Sequence, residues 1–446
     1  MLGFHGNQVV IGYDLGNVHS QISYCYAEGE RGKNGSRMTE EATNLYVPTV
    51  LCKRNQANQW YCGQEAFRRA QDGEGILIED LLHLAEDGEP IRIEEAAYDP
   101  VALLTLFLKR SLMTVAGPDR IAALMLTCRC WTSRQREVLS QALAGLGLKT
   151  ARVAFQSYGE SYYCYMLHQE KELWKNTSLL LEYVQERVKV YSLNLNERTR
   201  PKVLLIEEEE QPFFPRRPMS EGPPMSENPP IGENPPRESP RDAGLSEQWE
   251  EQLDREFLAV ARRLCEGKKI SSVYLIGENY SEDWMKESLR YLCKSSRVFQ
   301  GSNLYSKGAC YAMRERMNPS GLEKEYVFLG TEKLKANVGM KVKKQGEPFY
   351  YALLDAGCDW RSAKNTCELY LREENDVELM VTPLNGKPAR LARIVLEGIQ
   401  PVTRIRLRLS MKGEDRLGVE VEDLGFGELL PSSGHEWKEE LGLYED

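Results

Sequence analysis

Short apolar runs of strand character take turns with longer runs of helical period from residue 8 to about residue 320, and that alternation restricts this part of the chain to an α/β plan. VVIGYDLGNVHSQISYCY (residues 9–26) is an apolar run, a turn and an alternating run, which predicts a β-hairpin over 8–14 and 21–27. VPTVLC and QWYCG predict a second strand pair. VALLTLFLKRSLM, within residues 99–116, predicts a buried helix, and IAALMLTC a short buried strand. A helix is expected from Ser133, where Val138, Ala142 and Leu146 recur every four residues beside Leu139 and Leu143. ARVAF is another strand, and SLLLEYVQERVKVYSL a strand pair. Further on, Trp249, Leu253, Phe257, Ala261 and Leu264 make a helical stripe. SVYLIG is then a strand, and EDWMKESLRYL and NLYSKGACYAMRERM are helices.

One segment breaks the rhythm. Residues 207–245 open on four glutamates and run into three imperfect hexads, MSEGPP, MSENPP and IGENPP. Proline fixes φ and removes a donor, and the segment has almost nothing apolar to bury, so an extended, disordered insert is expected. A ligand for a proline-recognition domain is the functional alternative.

Beyond about residue 322 the period becomes two. In TRIRLRLSM, Ile405, Leu407, Leu409 and Met411 share one face and Arg404, Arg406 and Arg408 the other. KGEDR makes a turn and LGVEVED alternates again, while CELYLREENDVELMV reads as a similar pair around a polar turn. Half-buried antiparallel strands of this kind predict a β-sandwich, with the arginine face simply solvated.

Composition narrows the function. At 41% hydrophobic and 28% charged residues the chain is of ordinary globular type, and 446 residues suffice for two or three domains. Its net charge of −10 lacks the basic face that nucleic-acid or anionic-membrane binding needs, leaving room only for local basic patches. No run approaches the ~20 apolar residues of a membrane span, and the N-terminus lacks a signal-peptide pattern, so no membrane insertion and a cytoplasmic location are expected. Eleven cysteines without a CxxC pair fit reduced thiols, and the five histidines show no ligand spacing, so no structural metal is expected.

Several pieces, in this order, resemble the heat-shock chaperone ATPases of the DnaK type, within the actin and sugar-kinase fold group. GYDLGNVHS resembles their first phosphate hairpin, and YVPTVLCKRNQANQWYCGQEAFRRA the segment that follows it. LMLTCRCWTSRQREVLSQALAGLGLKTARV resembles the strand, helix and turn before the hinge glutamate. VYLIGENYSEDWMKESL resembles the adenosine strand and turn, and NLYSKGACYAM the helix after it. IVLEGIQPVTRIRLRLSMKGEDRLGVEVEDLGFGE resembles late strands of the peptide-binding sandwich. The resemblance implies an actin-like two-lobed ATPase fold with a reduced second lobe, followed by an antiparallel β-sandwich. Residues 1–206 are then the first lobe and the start of the second, 207–245 the insert, 246–321 the remainder of the second lobe, and 322–446 the sandwich.

It also implies a site for ATP and Mg²⁺, with Asp14, Gly16, Asn17, Ser20, Gly277 and Gly308 as the candidate nucleotide-binding residues. Such a site needs glycine turns at the phosphates, carboxylates for the metal, and a lysine and glutamate for the attacking water. The first hairpin keeps Asp14, Gly16 and Ser20, but Asn17 and Val18 replace the usual threonine pair. A plain hairpin with Asp14 at its turn and a phosphate grip both remain open there. The family's lysine falls near Asp80, and its hinge glutamate on Ser157, with Glu160 one turn later. The second phosphate loop reads Glu182-Tyr183-Val184-Gln185-Glu186-Arg187, where glycines are expected. The paired adenosine glycines are Gly277 and Glu278, and the late metal-associated aspartate falls near Ser302 or Asn303. Bulky and acidic groups thus stand where bare backbone should meet a polyanion. The expectation is a chaperone-like, catalytically degenerate scaffold that binds a protein or peptide. The alternative is an active ATPase in which Asp14 and Glu160 or Glu182 have taken over. A small-molecule kinase of the same fold group would leave the C-terminal strands unexplained.

Overall fold

In the computed structural model of the chain, residues 8–26, 43–129, 132–148, 152–184, 187–211, 240–277, 280, 283–372, 375–428 and 430–444 are described. They form a mixed α/β architecture with a β-rich C-terminal region, divided between two compact units. One unit is Met1–Leu173 with Gln300–Glu323, the other Trp174–Phe299 with Lys324–Asp446. No helix among the described residues is long and apolar enough to cross a membrane.

The elements begin with β1 (Val9–Asp14), β2 (His19–Tyr26), β3 (Thr43–Pro48), β4 (Leu51–Arg54), β5 (Trp60–Cys62), α1 (Gln64–Gln71) and β6 (Gly75–Ile78). Next are α2 (Leu81–Asp87), β7 (Ile91–Ile93), β8 (Ala96–Tyr98), α3 (Pro100–Met113), β9 (Ile121–Cys128), α4 (Ser133–Ala144), β10 (Arg152–Ser157) and α5 (Tyr158–Leu167). A second series follows: β11 (Thr177–Val184), β12 (Arg187–Asn196), β13 (Lys202–Gln211), α6 (Pro240–Cys265), β14 (Ile270–Ile276), α7 (Glu287–Cys293), β15 (Arg297–Gln300) and α8 (Leu304–Met317). After a short α9 (Leu322–Glu325) and β16 (Tyr326–Leu329), the rest is strand: β17 (Ala336–Lys344), β18 (Glu347–Leu354), β19 (Lys364–Arg372) and β20 (Asp376–Pro383). The last four are β21 (Arg390–Val395), β22 (Val402–Met411), β23 (Arg416–Asp423) and β24 (Glu436–Gly442).

The first unit is built on a sheet of order β3-β2-β1-β9-β10. β1–β2 and β2–β3 are antiparallel, while β9 lies parallel to β1 and β10 to β9. Every residue of β1 is buried, which is why its sequence is an unbroken apolar run ending in one acid. Val9, Ile11 and Tyr13 enter a core with α3 and α4, and Val10 enters another with Ala309, Cys310 and Met313 of α8. Local signals set the helix starts. The Asp99 side chain accepts from the Val101 and Ala102 N–H groups with Pro100 at the first position, and Thr132 and Gln135 form a reciprocal capping box. The sequence places α8 in a second lobe, but it packs within the first unit.

In the second unit the sheet β13-β12-β11-β14-β15 repeats that order, with β16 added in parallel beside β13. Again the first three strands are antiparallel and the first also takes a parallel neighbour, β14. Glu207–Gln211, expected in the insert, instead extend β13 opposite Val188–Ser192 of β12. The acidic run tolerates this because Lys189 meets Glu208 at 2.8 Å and Arg187 meets Glu210 at 3.2 Å across the pair. At the other end α6 already starts at Pro240, so the proline hexads fall at 212–239, outside the described residues. The helix expected from EDWMKESLRYL forms only from Glu287, where the Asp254 carboxylate of α6 accepts from the Glu287 and Ser288 N–H groups at 2.7 and 3.0 Å.

The C-terminal strands make two four-stranded antiparallel sheets, β18-β17-β20-β21 and β19-β22-β23-β24. Val338, Leu379 and Ile394 of one and Ile405, Leu407 and Val419 of the other meet in a single core. The β22–β23 hairpin forms as its alternation predicts. CELYLREENDVELMV does not make a hairpin: β19 pairs with β22, and β20 with β17 and β21. Alternation fixes which face is buried but not which strand is the neighbour, and here the chain changes sheets between the two runs. The arginine row is also more than solvated. Arg406 and Arg408 reach Glu422 at 3.1 and 2.8 Å, and Arg406 also reaches Glu368 at 3.0 Å.

Candidate functional site

The alternation of β1 places Asp14 on the side of Val10 and Gly12, the side met by α8. Its side chain is 7% exposed. Tyr158, the first residue of α5, donates its hydroxyl hydrogen to Asp14 Oδ1 at 2.6 Å. The Tyr158 ring is stacked on Tyr305 of α8, with centroids 3.7 Å apart and planes 10° from parallel. Next along the hairpin, a Cβ on Gly16 would lie 2.2 Å from the His19 carbonyl oxygen, so the turn closes too tightly for any other residue. The Asn17 amide stands 3.3 Å from the ring of His83 on α2. Ser20 is fully buried and shares a 2.8 Å hydrogen bond with Thr49. The hairpin carries Asp14, Gly16, Asn17 and Ser20 close together along the chain, but its register turns the Asp14 and Ser20 side chains to opposite faces of the sheet, Asp14 toward α8 and Ser20 to the side of Tyr13 and Ile22.

The glycine of α8 has a packing role. A Cβ on Gly308 would sit 1.9 Å from the Ser161 carbonyl oxygen of α5. One on Gly12 would sit 2.1 Å from the Ser306 oxygen and 2.3 Å from the Cys310 nitrogen. α8 thus approaches both β1 and α5 backbone to backbone. Beneath it, Ser161 Oγ accepts from Gln156 Nε2 at 2.7 Å and shares a hydrogen bond of the same length with Thr127. Gly277 belongs to the second unit, after β14. Its φ of +123° and the 2.4 Å from its would-be Cβ to the Tyr183 oxygen both require glycine.

The residues aligned with catalytic positions have other duties. Ser157 caps α5: its hydroxyl accepts from the Glu160 N–H at 3.2 Å, and the Glu160 carboxylate accepts from the Ser157 N–H at 2.8 Å. Asp80 is exposed in the left-handed region, φ 51°, at the start of α2. Glu182 is a buried residue of β11 opposite Lys189, and Val184 ends that strand half-buried. Gln185, Glu186 and Glu278 lie outside the described residues. Asn303 precedes α8 without a side-chain cap bond, beside the exposed Ser302. Tyr158 and Tyr305, the aromatic pair against Asp14, were not singled out by the sequence, because nothing in their local pattern marks a partner so distant. Burial drives the Tyr13 phenol well above its ordinary range, although Ser111 hydrogen-bonds it at 2.8 Å. Among the described residues no group of three or more His, Cys, Asp or Glu side chains is arranged to hold a metal ion.

Residues 333–443 match a domain of unknown function, DUF8552, whose bounds coincide with the C-terminal strands. No curated protein matches the chain. Residues 35–331 match the C-terminal part of a family of unknown function, DUF5716, and since that span is well over half of the 446 residues, the chain belongs to this family.

Proposed function

We propose that the chain is an actin-type ATPase fold that has lost nucleotide chemistry and acts as a chaperone-like scaffold for a protein or peptide. The fold part of this reading is supported by the repeated sheet plan, a three-strand meander whose first strand also takes a parallel neighbour. The C-terminal pair of sheets sharing one core supports a binding module placed after it, as in the chaperones the sequence resembles.

One observation carries the loss of chemistry. The acid that would order a metal's water shell, Asp14, accepts a hydrogen bond from Tyr158 instead, 2.6 Å away under a stacked tyrosine pair. Glu160 is spent on its own helix cap, Ser20 on Thr49, and Gly308 on a backbone contact. This is not a donor set that fits Mg²⁺-ATP, which asks for open carboxylates and bare loops. Calorimetric titration of the full chain with Mg²⁺-ATP is expected to give no saturable heat, and a turnover assay no phosphate release. Turnover that vanishes in Asp14→Ala would overturn the proposal.

A further inference from the structure

Resting on the scaffold reading, we propose that the outer face of the β19-β22-β23-β24 sheet docks a short acidic peptide carrying an apolar side chain. The even-numbered residues of β19 and β22 point outward there. They set Lys364, Arg372, Arg404, Arg406 and Arg408 against one carboxylate, Glu368. Glu422 of β23 engages two of the arginines, Glu420 stands opposite Arg408 in register, and Arg404 lies 3.6 Å from Glu368, so a reduced cationic surplus remains on this half of the sheet, while β24 beyond it sets Glu436 and Glu440 against Lys438. In a chain of net charge −10 such a surplus is local and specific.

Directly beside it is an apolar platform. Tyr370 stands opposite Arg404 in register and is 72% exposed. Phe426 is stacked on it, centroids 5.6 Å apart and planes 18° from parallel. Val402, the next outward residue of β22, is 44% exposed. The loop that carries Phe426 is held by one acid. Asp423 Oδ1 accepts from Thr403 Oγ1 at 2.5 Å and from the Gly425 N–H at 3.2 Å, and Oδ2 accepts from the Ser433 N–H and hydroxyl at 2.7 and 2.6 Å. Two aromatic rings are therefore presented to water on a pre-ordered frame, which keeps the entropic cost of docking small.

Charge complementarity assigns the partner its carboxylates, and the platform assigns it an apolar residue to lay on the rings. A long polyanion such as single-stranded nucleic acid would also find arginines and a stacking surface. The acidic remainder of the chain repels it over its length, while a short peptide can lie along β19 and β22, clear of the carboxylates of β24.

The test is fluorescence anisotropy of the full chain with a labelled peptide of repeating Asp-Phe-Glu-Pro, the same peptide with lysine at the acidic positions, and oligothymidylate. The acidic peptide is expected to bind saturably and to lose about tenfold or more in affinity in Tyr370→Ala and in Arg404→Glu. Phe349→Ala, an exposed aromatic of the other sheet, is expected to leave binding intact. Absence of saturable binding, equal binding of the lysine peptide, indifference to both substitutions, or a preference for oligothymidylate would each overturn the proposal. The Mg²⁺-ATP titration reads different residues, so failure here leaves that result standing.

Discussion

Tyr158 and Asp14 form one contact with two effects: the phenol donates to the carboxylate at 2.6 Å, and the same ring, stacked on Tyr305, joins the start of α5 to the start of α8. A phenol to a buried carboxylate is among the stronger hydrogen bonds of a protein interior.

Removing that hydroxyl leaves a buried acid short of a donor. Tyr158→Phe is expected to cost about 1.5–3 kcal/mol in urea denaturation. No loss of stability would mean that the Asp14 carboxylate is satisfied by other groups.

The approach of α8 to α5 predicts a sharp contrast between two glycines. Gly308→Ala pushes a methyl to within 1.9 Å of a carbonyl oxygen, whereas Gly301→Ala meets nothing within 4 Å. The first should destabilise by about 1–3 kcal/mol or more and the second by a few tenths at most, read as shifts in the urea midpoint.

Acid should act through two interior carboxylates. Burial works to raise Asp423, but donors from Ser433, Thr403 and Gly425 outweigh it and hold the group below its ordinary value of 3.8. Asp254 is held low in the same way, burial being outweighed by the N–H groups at the start of α7, of which Glu287 and Ser288 donate at 2.7 and 3.0 Å. A carboxylate depressed in the folded state contributes stability that is complete above its unfolded pKa and is lost as the pH falls through the folded one. The thermal midpoint should therefore fall as the pH drops below about 4, and Asp423→Asn should flatten that slope. An unchanged slope in the variant would remove Asp423 from the account.

Thiol chemistry should divide by depth. Cys293 and Cys358 are exposed, whereas Cys25, Cys52 and Cys310 are buried. The hydrogen bond with Cys25 and burial together drive the Cys310 thiol well above its ordinary range. Among the described cysteines, brief alkylation of the native chain followed by peptide mass spectrometry should mark Cys293 and Cys358 first and Cys310 only after unfolding.

What could be read from the sequence was local. The β1–β2 hairpin, the α4 helix and the β22–β23 hairpin each depend on neighbours a few residues away, and the sequence predicts each; the capping box that starts α4 is as local but is seen only in the structure. What could not be read lies in contacts between distant residues. Asp14 and Tyr158 are 144 positions apart, and Asp254 caps a helix that begins 33 positions later. The strands β19 and β20 show the same limit in another form: their period declared an inner face but could not declare partners. Gly308 carried a motif's position, yet its reason is the Ser161 carbonyl, which no local pattern marks.

The return of α8 to the first unit has a temporal consequence. Ser23 and Ser306 touch at a separation of 283 residues, and Cys310 reaches the Val10 carbonyl across 300. On the ribosome, the nascent N-terminal sheet therefore waits for most of the polypeptide to emerge before one of its faces is covered. Throughout that interval Val10, Ala123 and Met125 have only Ala154 and Cys164 beside them and lack the cover of Ala309, Cys310 and Met313.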